Sequence, residues 1–379
     1  MKTKLAFFLL LVLVAFAAGC STTSSTPSFD PTTVAAFDKI VSDMKSYASA
    51  EGFVLLVSVP GKSDYLGVLG TDEVAAGSAI DPRKLFRIGS ITKTFTNTVT
   101  LQLVDEGLIS LETTVDQYMT GIPSGDVITI KMLLNHSSGL PNYTASTVFW
   151  TDLAADRYHR YTPQDLLNYA FALPMTAAPG TAYHYSNTNT TILGMIIEQY
   201  NTQGETLAQA VKRRVIDKIG LANTTFATVE TFPGAYIHGY MPSPTTGTNE
   251  DWSVEDPSWM WAAGAVISNI YDLKTYIKAL YENNNGLLSP AMQTKRINDD
   301  WISIDPVTLP TGKYGLGWVQ IGGFFGHDGA VPGYHCIAAY DPATGTTVVA
   351  MMNTEPRDIS TAMATLLSVI KQLYPTRAL

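Results

Sequence analysis

One stretch organises the rest of the chain: residues 86–95, FRIGSITKTF. It predicts a short extended approach, a bend at Gly89 and then a long helix, because apolar residues recur at helical spacing as far as Asp105. Ser90 falls at the entry to this helix, where free backbone N–H groups and the positive end of the helix dipole favour nearby negative charge. Lys93 follows three residues later, so the two side chains share one face of the helix.

A serine hydroxyl beside a lysine admits two interpretations. The hydroxyl becomes a strong nucleophile when a neighbouring base takes its proton, and a partly desolvated lysine with a lowered pKa can be that base. Serine is also a common helix N-cap, and a lysine one turn on is ordinarily a solvated surface residue. Ser42 and Lys45 repeat the same spacing in an ordinary amphipathic stretch. The motif therefore needs partners elsewhere in the chain before it predicts catalysis.

The composition predicts a globular protein with an acidic surface. Of 379 residues 46% are hydrophobic and 15% are charged, which is enough apolar material for a large core and two structural lobes. The formal net charge is −9 and no basic run occurs, which argues against nucleic acid as a partner. The six histidines are scattered without metal-ligand spacing, so neither a metal site nor a cofactor is expected.

The first residues read as an export signal. Two lysines, Lys2 and Lys4, precede an apolar run over 5–18, which is short for a membrane span and suits a signal peptide over 1–19. Small residues then lead directly to Cys20, a pattern that resembles the bacterial lipoprotein signal, in which the cysteine is lipidated. The sequence thus predicts an extracytoplasmic protein anchored to the bacterial cell membrane as a lipoprotein. An ordinary secretory leader, with a secreted or periplasmic product, is the alternative.

The segment after this cysteine predicts a flexible tether. Residues 20–31 hold the lipidation site followed by Ser, Thr and Pro without apolar periodicity, and the folded domain is expected over 32–379. The only other cysteine, Cys336, lies in an alternating apolar run and is expected to be a small core residue. An acylated Cys20 would leave the protein without an internal disulfide.

The distribution of strand and helix patterns predicts an α/β fold, or α+β in some schemes. Strand patterns are found near both ends of the domain, at 53–59, 65–69, 315–321, 336–340 and 346–352. Helical patterns cover 32–50 and 359–373, which predicts one antiparallel sheet flanked by helices and built from about 32–107 and 255–379. Residues 108–254 are mostly helical pieces broken by turns, and we expect them to form an inserted lobe.

Two further short motifs could supply partners for the serine. Tyr185 and Asn187 lie between a turn and a helix, where a phenol can act as a general base and an amide can bind a substrate amide. His327 and Gly329 begin a glycine-flanked strand that would let a substrate backbone approach closely. Taken singly, Tyr185 is more often a packed aromatic residue, and His327 is as often structural as functional.

The three motifs in this order resemble those of the penicillin-binding and serine β-lactamase-like hydrolases. More narrowly, they are similar to the branch that holds D-alanyl-D-alanine carboxypeptidases, class C β-lactamases and related esterases and D-amino-acid amidases. The flanking segments at 86–89, 133–141 and 185–189 agree, and the resemblance runs from about Val34 to the C-terminus. It implies a β-lactamase-like fold with the site in the cleft between sheet and helical lobe.

The resemblance implies a role for each motif residue. Ser90 would be the acylated nucleophile, Lys93 the base beside it, and Tyr185 the second base and leaving-group acid. The remaining motif positions would bind substrate: the side chains of Asn187 and His327, the Gly329 backbone, and the backbone N–H groups of Ser90 and Ala330 as the oxyanion hole.

The third motif departs from the family pattern at Asp328, where threonine or serine is frequent. A fixed anion there opposes a substrate carboxylate, which carboxypeptidases and β-lactamases must bind. The predicted function is therefore a serine hydrolase that cleaves an amide, peptide or ester bond in a small molecule or peptide (cell-wall peptide, lactam or ester). Carboxypeptidase-like, β-lactamase-like and esterase activities remain open. A non-catalytic receptor for penicillin or cell-wall peptides on the same fold is the alternative, and the sequence does not predict an oligomeric state.

Overall fold

The computed structural model describes residues 26–243, 248–299, 301–305, 309–354 and 361–379. The predicted signal peptide and the predicted lipidation site at Cys20 lie outside these residues. No helix of the described ranges is both long enough and apolar enough to cross a membrane.

A nine-stranded antiparallel sheet forms the centre of the molecule, with the strand order β3-β2-β1-β14-β13-β12-β11-β10-β9. Three short strands form a second sheet in the order β4-β8-β5, and β6 pairs with β7. The strands in chain order are β1 Gly52–Ser58, β2 Tyr65–Glu73, β3 Ser78–Ala79, β4 Phe86–Arg87, β5 Thr225–Phe226, β6 Tyr240–Pro242, β7 Asn249–Asp251, β8 Val266–Ser268, β9 Ile302–Asp305, β10 Leu309–Tyr314, β11 Val319–Ile321, β12 Phe324–Val331, β13 Tyr334–Asp341 and β14 Thr346–Met352.

Helices cover both faces of the large sheet. In chain order they are α1 Pro31–Ala48, α2 Thr92–Asp105, α3 Ile130–Leu134, α4 Thr147–Ala155, α5 Pro163–Phe171, α6 Asn187–Tyr200, α7 Leu207–Val211, α8 Asp217–Ile219, α9 Trp261–Gly264, α10 Ile270–Glu282, α11 Pro290–Asn298 and α12 Thr361–Leu373. A π-helical segment, Lys212–Ile216, joins α7 to α8.

The central strand β1 shows why the sheet is covered on both faces. Its side chains are apolar at successive positions, as expected for a strand with no solvated face. Phe53 and Leu55 pack with α1 and α12 in one apolar cluster, whereas Val54 and Leu56 point into the larger core on the other side. Because successive side chains alternate between faces, one strand joins the two halves of the core.

Helix α2 runs through the interior although it is rich in threonine. Buried hydroxyl groups need hydrogen-bond partners, and here they have them. Thr94 Oγ1 lies 2.6 Å from the Tyr276 hydroxyl, Thr96 Oγ1 donates to the Ala262 carbonyl at 2.8 Å, and Thr98 Oγ1 donates to the Thr94 carbonyl at 2.6 Å. These bonds fix the helix that follows directly on Ser90.

The predicted fold class is confirmed, and the helix over Thr92–Asp105 has the predicted bounds. The prediction of one strand over 315–321 is wrong. The chain turns between β10 and β11, and Gly317, at φ +91°, packs so closely that an added Cβ would lie 2.5 Å from the Asn97 Cβ. The strand that carries His327 also begins earlier than predicted, so His327 lies in the middle of β12.

Candidate active site

Ser90 lies in a 3-10 turn, Gly89–Ile91, that leads directly into α2. Gly89 has φ +49°, a conformation that a side chain would strain. The turn packs against β12, and a Cβ added at Gly89 would lie 2.8 Å from the Ala330 backbone nitrogen. The nucleophile predicted from the sequence is therefore held between the helix and the sheet.

Lys93 is fully buried beside this serine. Its Nζ lies 2.9 Å from Ser90 Oγ and donates to the Ala263 carbonyl at 2.9 Å. Within the described part of the chain no carboxylate comes within ion-pair distance of it. Burial holds the pKa of Lys93 well below its usual value, and the negative charge of Asp328 opposes part of that shift. Burial thus favours the neutral amine, the form of the lysine that can accept the serine proton.

Tyr185 also lies close to Lys93, with its ring centroid 4.9 Å from the lysine nitrogen. Burial raises the pKa of Tyr185 well above its usual value, and the facing Ser90 hydroxyl opposes the shift. The two hydroxyl oxygens do not reach full hydrogen-bond geometry, so the phenol has no hydrogen-bond partner among the described residues. The phenol therefore keeps its proton at neutral pH and is available to give it to a bound group.

The two backbone N–H groups named for the oxyanion hole come from segments in direct contact. A Cβ added at Gly329 would overlap the Ile88 carbonyl oxygen and lie 2.9 Å from the Ser90 nitrogen. Only glycine lets the two backbones approach this closely. The structure therefore brings the Ser90 and Ala330 backbones together as the sequence predicts.

Asn187 opens α6 at the edge of the same cleft and is half-buried. Its Nδ2 donates to Thr144 Oγ1 at 3.1 Å, and its backbone N–H donates to Asn142 Oδ1 at 3.1 Å. The carboxamide is thus oriented by the helical lobe, with one of its two N–H groups already engaged.

His327 is buried, and both of its ring nitrogens have partners. Nδ1 lies 2.5 Å from the Asp328 carbonyl oxygen and must donate to it, so Nε2 accepts from the Tyr314 hydroxyl at 2.9 Å. Burial is the main cause that lowers the pKa of His327, the charge of Asp328 opposes it and Lys93 adds to it. Both ring nitrogens of the imidazole are therefore engaged within the protein, and its contact with substrate stays a prediction.

Asp328 carries the negative charge of the cleft. Its side chain is 35% exposed, and its nearest basic group is His327 Nδ1 at 3.6 Å, on a histidine that is neutral. Burial is the main cause that lowers the pKa of Lys93 and raises the pKa of Tyr183. The Asp328 carboxylate shifts both pKa values upward, so its field reaches across the site. A ligand that enters the cleft meets this charge.

Three groups at the site were not assigned a role from the sequence: the Ala263 carbonyl, Tyr314 and His136. Tyr314 is buried, and its ring centroid lies 4.7 Å from that of His136. The imidazole of His136 lies 4.5 Å from the Tyr185 ring. His136 belongs to the segment 133–141 that resembles the family, and this resemblance is the sequence signal that points to it. No sequence signal marks the Ala263 carbonyl, because every residue has one.

The described residues contain no group of His, Cys, Asp and Glu side chains suited to hold a metal ion.

Comparisons with known proteins place this arrangement in context. A family model described as Beta-lactamase matches residues 37–369. A solved D-stereospecific amidohydrolase from Streptomyces sp. is similar to the chain with a TM-score of 0.78 at 28% identity, over 91% of this chain and 99% of that one. Penicillin-binding protein 4* of Bacillus subtilis (strain 168) is 26% identical over 303 residues, 74% of this chain and 63% of that protein. A D-aminopeptidase of Brucella ovis is 26% identical over 344 residues, 87% of this chain and 61% of that protein.

The chain spans about six-tenths of the length of these curated relatives. The matches therefore concern the hydrolase fold and its cleft, and the relatives contain further sequence that has no counterpart in the aligned region.

Proposed function

The chain belongs to the Beta-lactamase family, and on that premise we propose that it is a serine hydrolase that works through an acyl-enzyme on Ser90. The observation that carries the proposal is the buried Lys93 amine, 2.9 Å from the serine oxygen. Burial lowers the pKa of this amine and so favours its neutral form, which is the form that can take the serine proton.

Acylation uses the three converging groups. Lys93 takes the proton of Ser90 Oγ as this oxygen bonds to the substrate carbonyl carbon, and the resulting oxyanion lies against the Ser90 and Ala330 N–H groups. The bond to the leaving nitrogen or oxygen then breaks as Tyr185 gives that atom its proton. An acyl-enzyme, a Lys93 ammonium and a Tyr185 phenolate remain.

Deacylation restores every proton. The phenolate takes a proton from water as the water oxygen attacks the acyl carbon, and the bond to Ser90 Oγ breaks while the Lys93 ammonium returns its proton to that oxygen. The net reaction adds one water across the amide or ester bond. The ammonium close to the Tyr185 ring stabilises the phenolate while it exists.

Substrates with a free amino group suit the cleft better than substrates with a carboxylate. Asp328 is exposed enough to meet a ligand, and its charge attracts an ammonium and repels an anion. The relatives named D-aminopeptidase and D-stereospecific amidohydrolase support the same direction. We therefore place amides of amino acids or short peptides with a free amino terminus first, and neutral esters second.

The proposed location follows from the leader alone. A lipid on Cys20 and a tether to residue 31 would hold the domain at an extracytoplasmic membrane surface, where cell-wall peptides are available. Incorporation of a labelled fatty acid into the full chain, and its loss in Cys20→Ser, would test this part separately.

The experiment that tests the enzyme is intact-protein mass spectrometry after exposure to a fluorophosphonate or a fluorescent penicillin. We expect the wild-type protein to gain one adduct and Ser90→Ala to gain none. Ser42→Ala is the matched control, because Ser42 has a lysine at the same spacing on an exposed helix face. If the wild-type protein binds these probes reversibly, without an adduct or turnover, the result would contradict the enzyme proposal and support the alternative of a non-catalytic receptor.

A further inference from the structure

His136 has a positive φ. It follows α3, and its φ is +59°, in the left-handed region that residues other than glycine adopt uncommonly, although Asn, Asp and His do so more often than the rest. Strained conformations of this kind persist where the surrounding structure requires them, often at functional sites. The question is what this conformation provides.

It turns two acceptors of one residue toward the segment that carries Tyr185. The backbone N–H of His184 donates to the His136 carbonyl at 2.8 Å. The backbone N–H of Ser186 donates to His136 Nδ1 at 3.3 Å. The residues on both sides of Tyr185 are thus held by His136, whose ring also packs against the phenol at 4.5 Å between centroids.

A second donor fixes the orientation of the imidazole. The Oδ1 of Asn189 accepts from the Ser138 hydroxyl at 2.6 Å, so its NH₂ group is the end that faces His136 Nδ1, at 3.0 Å. Nδ1 is therefore an acceptor and Nε2 carries the hydrogen. This Nε2–H is buried and has no hydrogen-bond partner in the described ranges.

A positive φ and a buried donor without a partner each cost stability, so their combination at His136 requires a reason. Nδ1 of the imidazole accepts a hydrogen bond from the Tyr185 segment, whereas the Nε2–H has no hydrogen-bond partner among the described residues. Burial first, and the nearby Lys93 and His327 next, hold the pKa of His136 well below its usual value, so the ring is a neutral acceptor at physiological pH.

We propose that His136 is a positioning residue that clamps Tyr185 from both sides and aims its hydroxyl at the leaving group. This inference rests on the proposed function, because it concerns the proton that Tyr185 gives to the departing atom. Proton transfer requires the donor within hydrogen-bond reach of the acceptor, and a small displacement of the phenol is enough to slow it. The clamp thus acts on the two proton transfers of Tyr185, to the leaving group and from water in deacylation, and leaves the attack by Ser90 unaffected.

Leaving groups of different basicity separate the proton transfer to the leaving group from the attack by Ser90. A fluorophosphonate loses fluoride, which needs no proton, so its reaction with Ser90 reports the nucleophile and Lys93 alone. Hydrolysis of D-phenylalanine amide releases ammonia, which needs the proton of Tyr185. The probes are applied to the full-length protein, and folding is checked by circular dichroism and thermal unfolding.

Two variants of nearly equal shape test the acceptor. In His136→Asn, Oδ1 occupies the place of Nδ1 and asparagine tolerates the left-handed backbone. In His136→Leu the acceptor is lost. We expect the leucine variant to lose about a hundredfold in amide hydrolysis, the usual contribution of a general acid, while fluorophosphonate labelling stays within about threefold of wild type. The asparagine variant should recover most of the amide activity.

A double-mutant cycle with Tyr185→Phe gives the second test. Because the clamp acts through the phenol, adding His136→Leu to Tyr185→Phe should cause no further loss in amide hydrolysis. Equal losses in labelling and hydrolysis, or additive losses in the cycle, would overturn the inference. If the leucine variant does not fold, a folded asparagine variant that loses both activities in proportion would overturn it equally. A wild-type protein without labelling or turnover refutes the proposed function itself, and this result is obtained before any variant is made.

Discussion

The side-chain nitrogen of Lys93 and the hydroxyl oxygen of Ser90 lie 2.9 Å apart, at a point where the lysine is fully removed from water. A lysine in water is protonated at neutral pH and could not accept the serine proton. Here burial lowers its pKa, and no carboxylate among the described residues pairs with it. Burial thus shifts the two groups in opposite directions: it lowers the pKa of the Lys93 amine, the proposed base, and raises the pKa of the Tyr185 phenol, the proposed acid.

The pH dependence of activity should show the lowered pKa of Lys93 and the raised pKa of Tyr185. The active form has a neutral Lys93 and a protonated Tyr185, so kcat/KM rises as the lysine loses its proton, well below pH 10.5, and falls only above pH 10. Asp328 raises the pKa of Lys93. In Asp328→Asn the rising limb should therefore move to lower pH, which a pH–rate profile of ester hydrolysis would measure. A limb that stays in place or moves upward would contradict the assignment of Lys93 as the base.

Replacing the base should stabilise the protein while it abolishes turnover. Burial lowers the pKa of Lys93 in the folded protein, so below its usual pKa the folded state binds the lysine proton less tightly than the unfolded chain and loses free energy relative to an apolar residue. Lys93→Met should raise the free energy of unfolding by roughly 1–4 kcal/mol, as replacing buried charged groups by apolar ones often does. Denaturant unfolding measures the change. Lys371→Met on the exposed surface of α12 is the control and should stay within about 0.5 kcal/mol of wild type.

Removing the phenol hydroxyl of Tyr185 should slow catalysis with little effect on folding. The hydroxyl has no hydrogen-bond partner within the described ranges, so its loss breaks no such bond. Tyr185→Phe should reduce amide hydrolysis by roughly a hundredfold or more, the usual effect of losing a general acid or base. The thermal midpoint should change little. A rate within a fewfold of wild type would remove Tyr185 from the mechanism.

A single methyl group at Gly329 should separate the two backbones of the oxyanion hole. The added Cβ would overlap the Ile88 carbonyl oxygen and lie 2.9 Å from the Ser90 nitrogen. Gly329→Ala should lower kcat by roughly 10²–10³-fold, as loss of one oxyanion donor does, and should destabilise the fold by about 1–3 kcal/mol.

The matched control is Gly234→Ala, where the nearest atom to the added Cβ is Leu85 Cδ1 at 3.7 Å, an ordinary contact. Both activity and unfolding should be close to wild type in this variant. Equal behaviour of the two alanine variants would show that the close approach at Gly329 is not required.

The substrate preference should follow the charge at position 328. With Asp328 present, we expect D-phenylalanine amide and p-nitrophenyl acetate to be hydrolysed better than nitrocefin or a D-Ala-D-Ala peptide, which carry a carboxylate. Asp328→Thr should reduce this difference in kcat/KM. It should raise kcat/KM for the substrates that carry a carboxylate and lower it for D-phenylalanine amide, which carries an ammonium group. Steady-state kinetics on this panel would measure both changes, and an unchanged ratio would show that the aspartate does not select substrates.

The local chemistry of the cleft could be predicted from the sequence because it resides in short segments. The glycine bend and the apolar spacing after Ser90 fix the strand, turn and helix around the serine, and the helix has the predicted bounds. The three motifs occur in an order that indicates the family. The prediction of one strand over 315–321 is wrong because the chain turns at Gly317, which packs against Asn97 from a distant part of the chain.

The charge and the hydrogen-bond partners of each site residue could not be predicted, because they depend on the residues that surround it in three dimensions. His327 was expected to contact substrate, but the Tyr314 hydroxyl and the Asp328 carbonyl occupy both of its nitrogens. In the sequence, His136 is only part of a segment that resembles the family. In the structure, its carbonyl oxygen and its Nδ1 accept hydrogen bonds from the residues on both sides of Tyr185. Neither relationship has a sequence period, because Tyr314 lies on a different strand from His327 and Ser186 lies 50 residues from His136.

The order of residues was enough to establish which chemical groups this protein has and where the chain bends to present them, because backbone propensities and helical spacing act over a few residues. Which of those groups are charged, which are engaged and which are free to react became clear from the folded arrangement alone. Desolvation and hydrogen bonding set those states, and both depend on packing between segments such as α2, β12 and the Tyr185 loop.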